Sequence, residues 1–205
     1  MGQGLTKSDC EALTKHFPGL NCSLSRQVVW GTLPVRCSHV VGSGVVRFDD
    51  TGPNFLEDDY EIRIDFSKED HFGCPKVFEE SGKVAQLAKR EGIPVKDLHV
   101  NSDEGSSCCL GIYPDYQWKS VVDFLFDLVL PFFYWQTYRR ETGAPPWDGF
   151  SHGNDGLREA MAIVSSAAEK GRDRNGKCPC GSGKKYKKCC MKPDAQLRQA
   201  MKKSI

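Results

Sequence analysis

Near the end of the chain the sequence reads Cys178-Pro-Cys180-Gly-Ser-Gly-Lys-Lys-Tyr-Lys-Lys-Cys189-Cys190, and this spacing constrains folding more than any other feature. A Cys-X-Cys pair, eight residues and a Cys-Cys pair supply four soft ligands. Zinc in a structural site takes four such thiolates in a tetrahedron. Gly181 and Gly183 let the backbone turn back so that the two pairs converge. The segment has almost no apolar side chains, so metal has to supply most of its folding energy. One structural Zn2+ per chain is therefore expected, held by Cys178, Cys180, Cys189 and Cys190.

Charge divides the chain at the same place. The net charge is +1, but residues 171–205 hold 11 Lys+Arg against 2 Asp+Glu, a balance of +9. The first 170 residues then hold 17 against 25, a balance of −8. Four thiolates around Zn2+ contribute −2, which leaves the tail at about +7. Such a segment seeks an acidic surface on a partner, whether protein, RNA or anionic lipid. Two domains are expected, a body over 1–170 and a basic zinc tail over 171–205.

The start, MGQGLTKSDC, has no apolar run of signal-peptide length, although Gly2 and Thr6 fit the loose N-myristoylation pattern. The most apolar run, Val121 to Trp135, is shorter than the ~20 residues a span needs and contains Asp123, Asp127 and Pro131. It reads as a buried helix that kinks or ends near the proline. A cytoplasmic location is expected, with ten cysteines acting as ligands or nucleophiles rather than disulfides.

Along the body, Thr6 to His16 predicts a first helix with Thr6 or Ser8 as cap and Pro18-Gly19 closing it. Gln27 to Cys37, Val40 to Phe48 and Asp59 to Phe66 predict antiparallel strands, separated by glycine-rich turns. Tyr60, Ile62, Ile64 and Phe66 alternate with Glu61, Arg63 and Asp65, which predicts one face to a core and one to water. A short helix is expected within Glu79 to Arg90, then an irregular stretch over Gly92 to Tyr113. Helices are expected again over Gln117 to Arg140 and Gly156 to Lys170. This order predicts an α+β fold. A long irregular stretch in a compact domain is usually functional.

Within that stretch lies His99-Val100-Asn101-Ser-Asp-Glu-Gly105-Ser-Ser-Cys108-Cys109-Leu110. A loop cysteine with His and Asn upstream suits thioester chemistry, because sulfur forms acyl intermediates readily and an Asn amide can donate to an oxyanion. The same residues also suit a bland reading, with the cysteines as small buried hydrophobes and His99 and Asn101 satisfying loop backbone.

Two resemblances add to this. The tail, down to CPCGSGKKYKKCC, resembles the zinc motif at the C-terminus of the bacterial secretion ATPase SecA; the resemblance implies a docking element, not a reaction. The loop resembles the active-site stretch of ubiquitin-conjugating enzymes, where His-Pro-Asn precedes a Gly-X-X-Cys-Leu type of element. Here His99 and Asn101 match, Val100 replaces the proline, and Cys109-Leu110 matches the nucleophile and its leucine. The segment from Phe72 to Phe78 is similar to that family's Pro-Pro-Lys-Val-X-Phe element, and the order of elements agrees over residues 1–140.

The resemblance implies a ubiquitin-conjugating-enzyme-like fold in which Cys109 carries a partner's C-terminus as a thioester and passes it to an amine. Asn101 would stabilise the oxyanion, His99 would hold the loop, and Cys108 is the alternative nucleophile. The PFFYWQTYRRETG run and the loop from Gly143 to Gly153, with Trp147, Asp148 and His152, look more like divergent bacterial members. Such members resemble components of antiphage operons that modify a cGAS-like nucleotidyltransferase, the implied partner. Two other readings stay open: a zinc-tailed adaptor with a dead site, and a Cys-His hydrolase.

Overall fold

A computed structural model describes residues 4–40, 45–48, 52, 54–70, 73–101, 105–111, 118–147, 174–177, 184–189 and 191. The expected helix over Gly156 to Lys170 lies outside the described residues. The chain forms two compact units, one of residues 1–111 and 118–149, the other of 112–117 and 150–205.

The first unit is mixed α and β, built on an antiparallel sheet. Helix α1 (Lys7–His16) starts at a capping box: the Asp9 N–H donates to Thr6 Oγ1 at 3.2 Å, and the Thr6 N–H to Asp9 Oδ2 at 2.9 Å. Strands β1 (Leu20–Ser23), β2 (Val28–Val40), β3 (Val45–Arg47), β4 (Leu56–Glu69) and β5 (Pro75–Glu79) follow. The sheet order is β1-β2-β4-β5, with β3 on β2. Strands β2 and β4 pair from Val28 opposite Asp65 to Cys37 opposite Leu56. This register puts Val29, Leu33 and Val35 on the buried face with Tyr60, Ile62 and Ile64.

The alternation in β4 holds at every position but one. Tyr60, Ile62, Ile64 and Phe66 are buried and Glu61 is exposed, yet Asp65 is buried. The β4–β5 register shifts between Asp65 and Glu69, and there the Asp65 carboxylate accepts from the Ser67 N–H at 3.0 Å. Local hydrogen bonds at the bulge thus replace the water its face predicts.

After the sheet come α2 (Lys83–Glu91), a 3-10 helix (Val95–Leu98), and one helical run made of α3 (Val121–Phe124), a π-helical turn (Leu125–Val129) and α4 (Leu130–Thr142). The run covers the sheet: Tyr60 and Phe133 have ring centroids 4.5 Å apart, and Phe124, Leu125 and Tyr134 are fully buried. The helix does not end at Pro131, one of the two outcomes expected there. The proline sits in the first turn of α4, directly after a π-helical turn whose wider loop accommodates the missing N–H.

The cysteine expectation also needs correction. Cys10 and Cys22 are joined in a disulfide, with Cα atoms 5.6 Å apart. Strand β1 doubles back along α1, so that Cys22 meets Cys10 near the start of the helix, which brings residues 12 apart in sequence within bridging distance. Among the described residues, no helix is long and apolar enough to cross a membrane.

Candidate functional site

The stretch expected to be irregular contains ordered backbone. The 3-10 helix ends at His99, whose φ of +59° is left-handed, a conformation that costs a non-glycine residue about 1–2 kcal/mol. That turn is held by the His99 N–H donating to the Lys96 carbonyl at 3.0 Å. It redirects the chain so that Val100 stands opposite Cys108 in an antiparallel bridge. The Asn101 N–H donates to the Ser107 carbonyl at 2.8 Å, and the Cys109 N–H to the His99 carbonyl at 2.7 Å. On the other side, Gly105 and Ser106 both have positive φ, forming the turn into Ser107.

This two-stranded piece is stitched to the sheet edge. Ser107 bridges Phe78, and the Cys108 N–H donates to the Val77 carbonyl at 2.7 Å. The Pro75–Phe78 segment, which carried the second part of the resemblance, is strand β5 itself. His99, Asn101, Cys108 and Cys109 therefore share one small antiparallel unit on β5.

Their side chains differ in character. Cys108 is 7% exposed, and burial pushes its thiol well above the ordinary value, with Glu79 adding to the effect. Cys109 is half-buried; desolvation raises its thiol, while the Gly111 backbone N–H favours the thiolate and Asp70 opposes it. The Asn101 amide donates from Nδ2 to Ser107 Oγ at 3.2 Å. The His99 ring stands edge-on to Trp135 at 5.0 Å, and Arg139, bonded to Glu91 at 2.7 Å, lies over the same indole.

Sequence reasoning missed the partners supplied by α4. Gln136 Nε2 donates to the Leu98 carbonyl at 2.6 Å in the buried interior, which fixes the residue just before His99. Trp135 and Gln136 lie in the predicted helix from Gln117 to Arg140, more than thirty residues from His99, and nothing local announces the pairing. Trp147 packs in a separate aromatic cluster, 6.0 Å from His39 and stacked on Tyr134 at 6.2 Å. Asp148 and His152 lie outside the described residues.

The second unit is described by itself. Lys177 and Lys185 face each other in an antiparallel bridge. The Tyr186 N–H donates to Gly176 and the Lys187 N–H to Arg174, each at 2.9 Å. A 3-10 turn (Tyr186–Lys188) follows, closed by the Cys189 N–H on the Tyr186 carbonyl at 3.0 Å. Tyr186 is 6% exposed and Cys189 is half-buried. Cys178, Cys180 and Cys190 lie outside the described residues, and among the described residues no group of three or more His, Cys, Asp or Glu could hold a metal. The donor chemistry nonetheless fits zinc: the sequence holds four thiols at 178, 180, 189 and 190, the bridge sets Lys177, the residue before the first pair, beside Lys185, and the 3-10 turn leads into Cys189.

Residues 174–192 match the SEC-C motif. The tail is similar to protein translocase subunit SecA 1 of Alkaliphilus metalliredigens, 60% identical over 40 residues, which is 20% of this chain and 4% of that protein. It is also similar to protein translocase subunit SecA of Geobacter metallireducens, 54% identical over 39 residues, covering 19% and 4%. The chain thus spans about 4% of the length of these curated relatives, so the likeness concerns the motif alone. No solved structure matches the chain.

Proposed function

We propose that the first unit is a ubiquitin-conjugating-enzyme-like transferase whose nucleophile is Cys109. The reading rests on one observation: His99–Asn101 and Ser107–Cys109 face each other across an antiparallel bridge on β5. In the reaction, Cys109 Sγ attacks an activated carboxyl carbon at a partner's C-terminus, an acyl adenylate or thioester supplied by an activating enzyme. A C–S bond forms and the adenylate or thiol leaves. A target amine then attacks the thioester carbonyl, a C–N bond forms, the C–S bond breaks, and the amine's proton passes to solvent.

The setting of Cys109 suits the resting states of that cycle. Desolvation favours neutral sulfur, and both the free thiol and the thioester are neutral. Asn101 serves the amine step by turning its amide from Ser107 Oγ toward the oxyanion, which a positioned donor stabilises by a few kcal/mol. His99, with its backbone fixed by the bridge and its ring against Trp135, positions the loop.

Zinc in the second unit would be held by Cys178, Cys180, Cys189 and Cys190, and supplies the folding energy of the tail. The divergent run after Pro131 supports a role in bacterial antiphage defence, with a cGAS-like nucleotidyltransferase as the conjugated partner.

One observation favours the adaptor reading instead. The Cys109 thiol is shifted away from the thiolate, and Asn101 is engaged on Ser107. Mass spectrometry on cells expressing the chain with its native operon separates the two. A transferase gives an adduct on Cys109 and lysine conjugates that vanish in Cys109→Ala; an adaptor gives neither.

A further inference from the structure

The second unit carries a surface that zinc binding does not explain. Arg174, Lys177, Lys184, Lys185, Lys187 and Lys188 are all exposed on one short hairpin. Lys177 and Lys185 stand directly opposite each other in its bridge. Like charges at facing positions of an antiparallel pair destabilise it, with Cβ atoms only about 5 Å apart. None of Arg174, Lys177, Lys185, Lys187 and Lys188 pairs with an acidic side chain among the described residues. Even after the thiolates and Zn2+ are counted, the tail stays near +7. A hairpin that sets lysine against lysine gains stability when an anion settles over the pair.

The chemistry of the surface narrows the occupant. We infer that this hairpin is a sequence-independent binding site for the phosphodiester backbone of single-stranded nucleic acid, centred on Lys177 and Lys185. Lysine binds phosphate oxygens as a point charge without fixed geometry, which suits a site that reads no sequence, and five of the six cations are lysines. A nucleic acid strand offers a dense row of negative charge with no cations of its own, while protein surfaces interleave both signs. Tyr186, the hairpin's aromatic residue, is buried and unable to stack on bases, so contact falls on the backbone and carries no sequence preference. The described part of the hairpin also exposes no large apolar side chain for insertion into a bilayer.

This inference stands apart from the thioester reading, and either can fail without the other. The test uses full-length, zinc-loaded protein and fluorescence anisotropy with a labelled 20-nucleotide RNA of scrambled sequence, repeated with the matching DNA. About five phosphate contacts predict a log–log salt slope near −3.5, so affinity falls roughly 100-fold between 50 and 200 mM NaCl. Lys177→Glu turns the facing pair from repulsive to attractive. It should weaken RNA binding roughly tenfold or more while slowing zinc loss to a chelator, two changes that a folding defect would not combine. Two scrambled sequences should bind alike, and polyglutamate or phosphatidylserine vesicles at equal charge should compete poorly. RNA binding unchanged in Lys177→Glu, or stronger binding to either competitor, overturns the assignment.

Discussion

The Cys109 N–H donates to the His99 carbonyl at 2.7 Å, so a cysteine and a histidine ten residues earlier are locked as neighbours on one antiparallel pair. The bond ties both halves of the candidate site to the same backbone ladder. Displacing either strand therefore moves Cys109 and the His99 turn together.

Substitutions at the vicinal cysteines should act differently. Cys109→Ser should trap an oxyester that survives thiol reductant, because alkoxide is a poorer leaving group than thiolate. Cys108→Ala should retain conjugation, since Cys108 is buried. Cys108→Ser should retain it too but lose about 1–3 kcal/mol of stability in urea unfolding, from burying a hydroxyl. Asn101→Ala should leave the Cys109 adduct in place and slow its discharge to amine about 100-fold or more. Conjugation that persists in Cys109→Ala and stops in Cys108→Ala would reverse the assignment.

Thiol reactivity should follow the shift at Cys109. Its pKa lies above 9.0, raised by desolvation, so less thiolate exists near neutrality than for an ordinary cysteine. Native-state alkylation of Cys109 should climb with pH through 9 and beyond; a plateau by pH 8 would contradict the burial argument. Burial also pushes the Cys37 and Cys74 thiols up to about 12. Both favour the protonated form when folded, so their contribution to stability is intact below the unfolded value of 9.0 and is lost as pH rises toward 12.

Asp58 should prove a stability centre away from the candidate site. Its buried carboxylate accepts from Lys83 Nζ at 2.6 Å, Arg140 at 2.7 Å and Thr137 at 3.1 Å. Desolvation pushes its pKa up, but the Lys83 and Arg140 bonds outweigh it and hold the carboxyl below 3.8. Asp58→Asn should cost about 2–4 kcal/mol in urea unfolding at pH 7, because both cations lose their anchor. The difference from wild type should begin to shrink as pH falls below 3.8, where the unfolded chain takes up the proton, and be lost once pH passes the lower folded value.

Metal analysis should find about one zinc per chain, removed by replacing Cys178, Cys180, Cys189 and Cys190 with Ser. The first unit, with its own core of Leu33, Ile64, Phe124 and Phe133, should keep its unfolding midpoint in that variant. One equivalent of zinc in the quadruple variant would place the site elsewhere.

Local pattern made much of the first unit legible. Thr6 is one of two candidate caps of α1 and is the one used, and Tyr60, Ile62, Ile64 and Phe66 announce the buried face of β4. Strand β1, four residues containing Asn21 and Ser23, carries too little β-branched character to be read alone; it forms because β2 supplies its ladder. The resemblance singled out Phe72 to Phe78 without revealing that its second half begins a strand. Five residues are too few to show a period once Cys74 and Pro75 interrupt it.

By itself the sequence determined which chemistry was possible: four thiols spaced for zinc, a basic tail, and His99, Asn101 and Cys109 within one short stretch. Residue type and spacing carry that information because ligand softness, charge and nucleophilicity belong to single side chains. Only the tertiary structure decided which cysteine is sealed and which half-open, that Cys10 meets Cys22, and that Gln136 and Trp135 brace the candidate site. Those outcomes depend on burial and on contacts between distant segments. Cys108, hydrogen-bonded to β5 through its N–H, is therefore buried, whereas Cys109, one residue later, is half-buried.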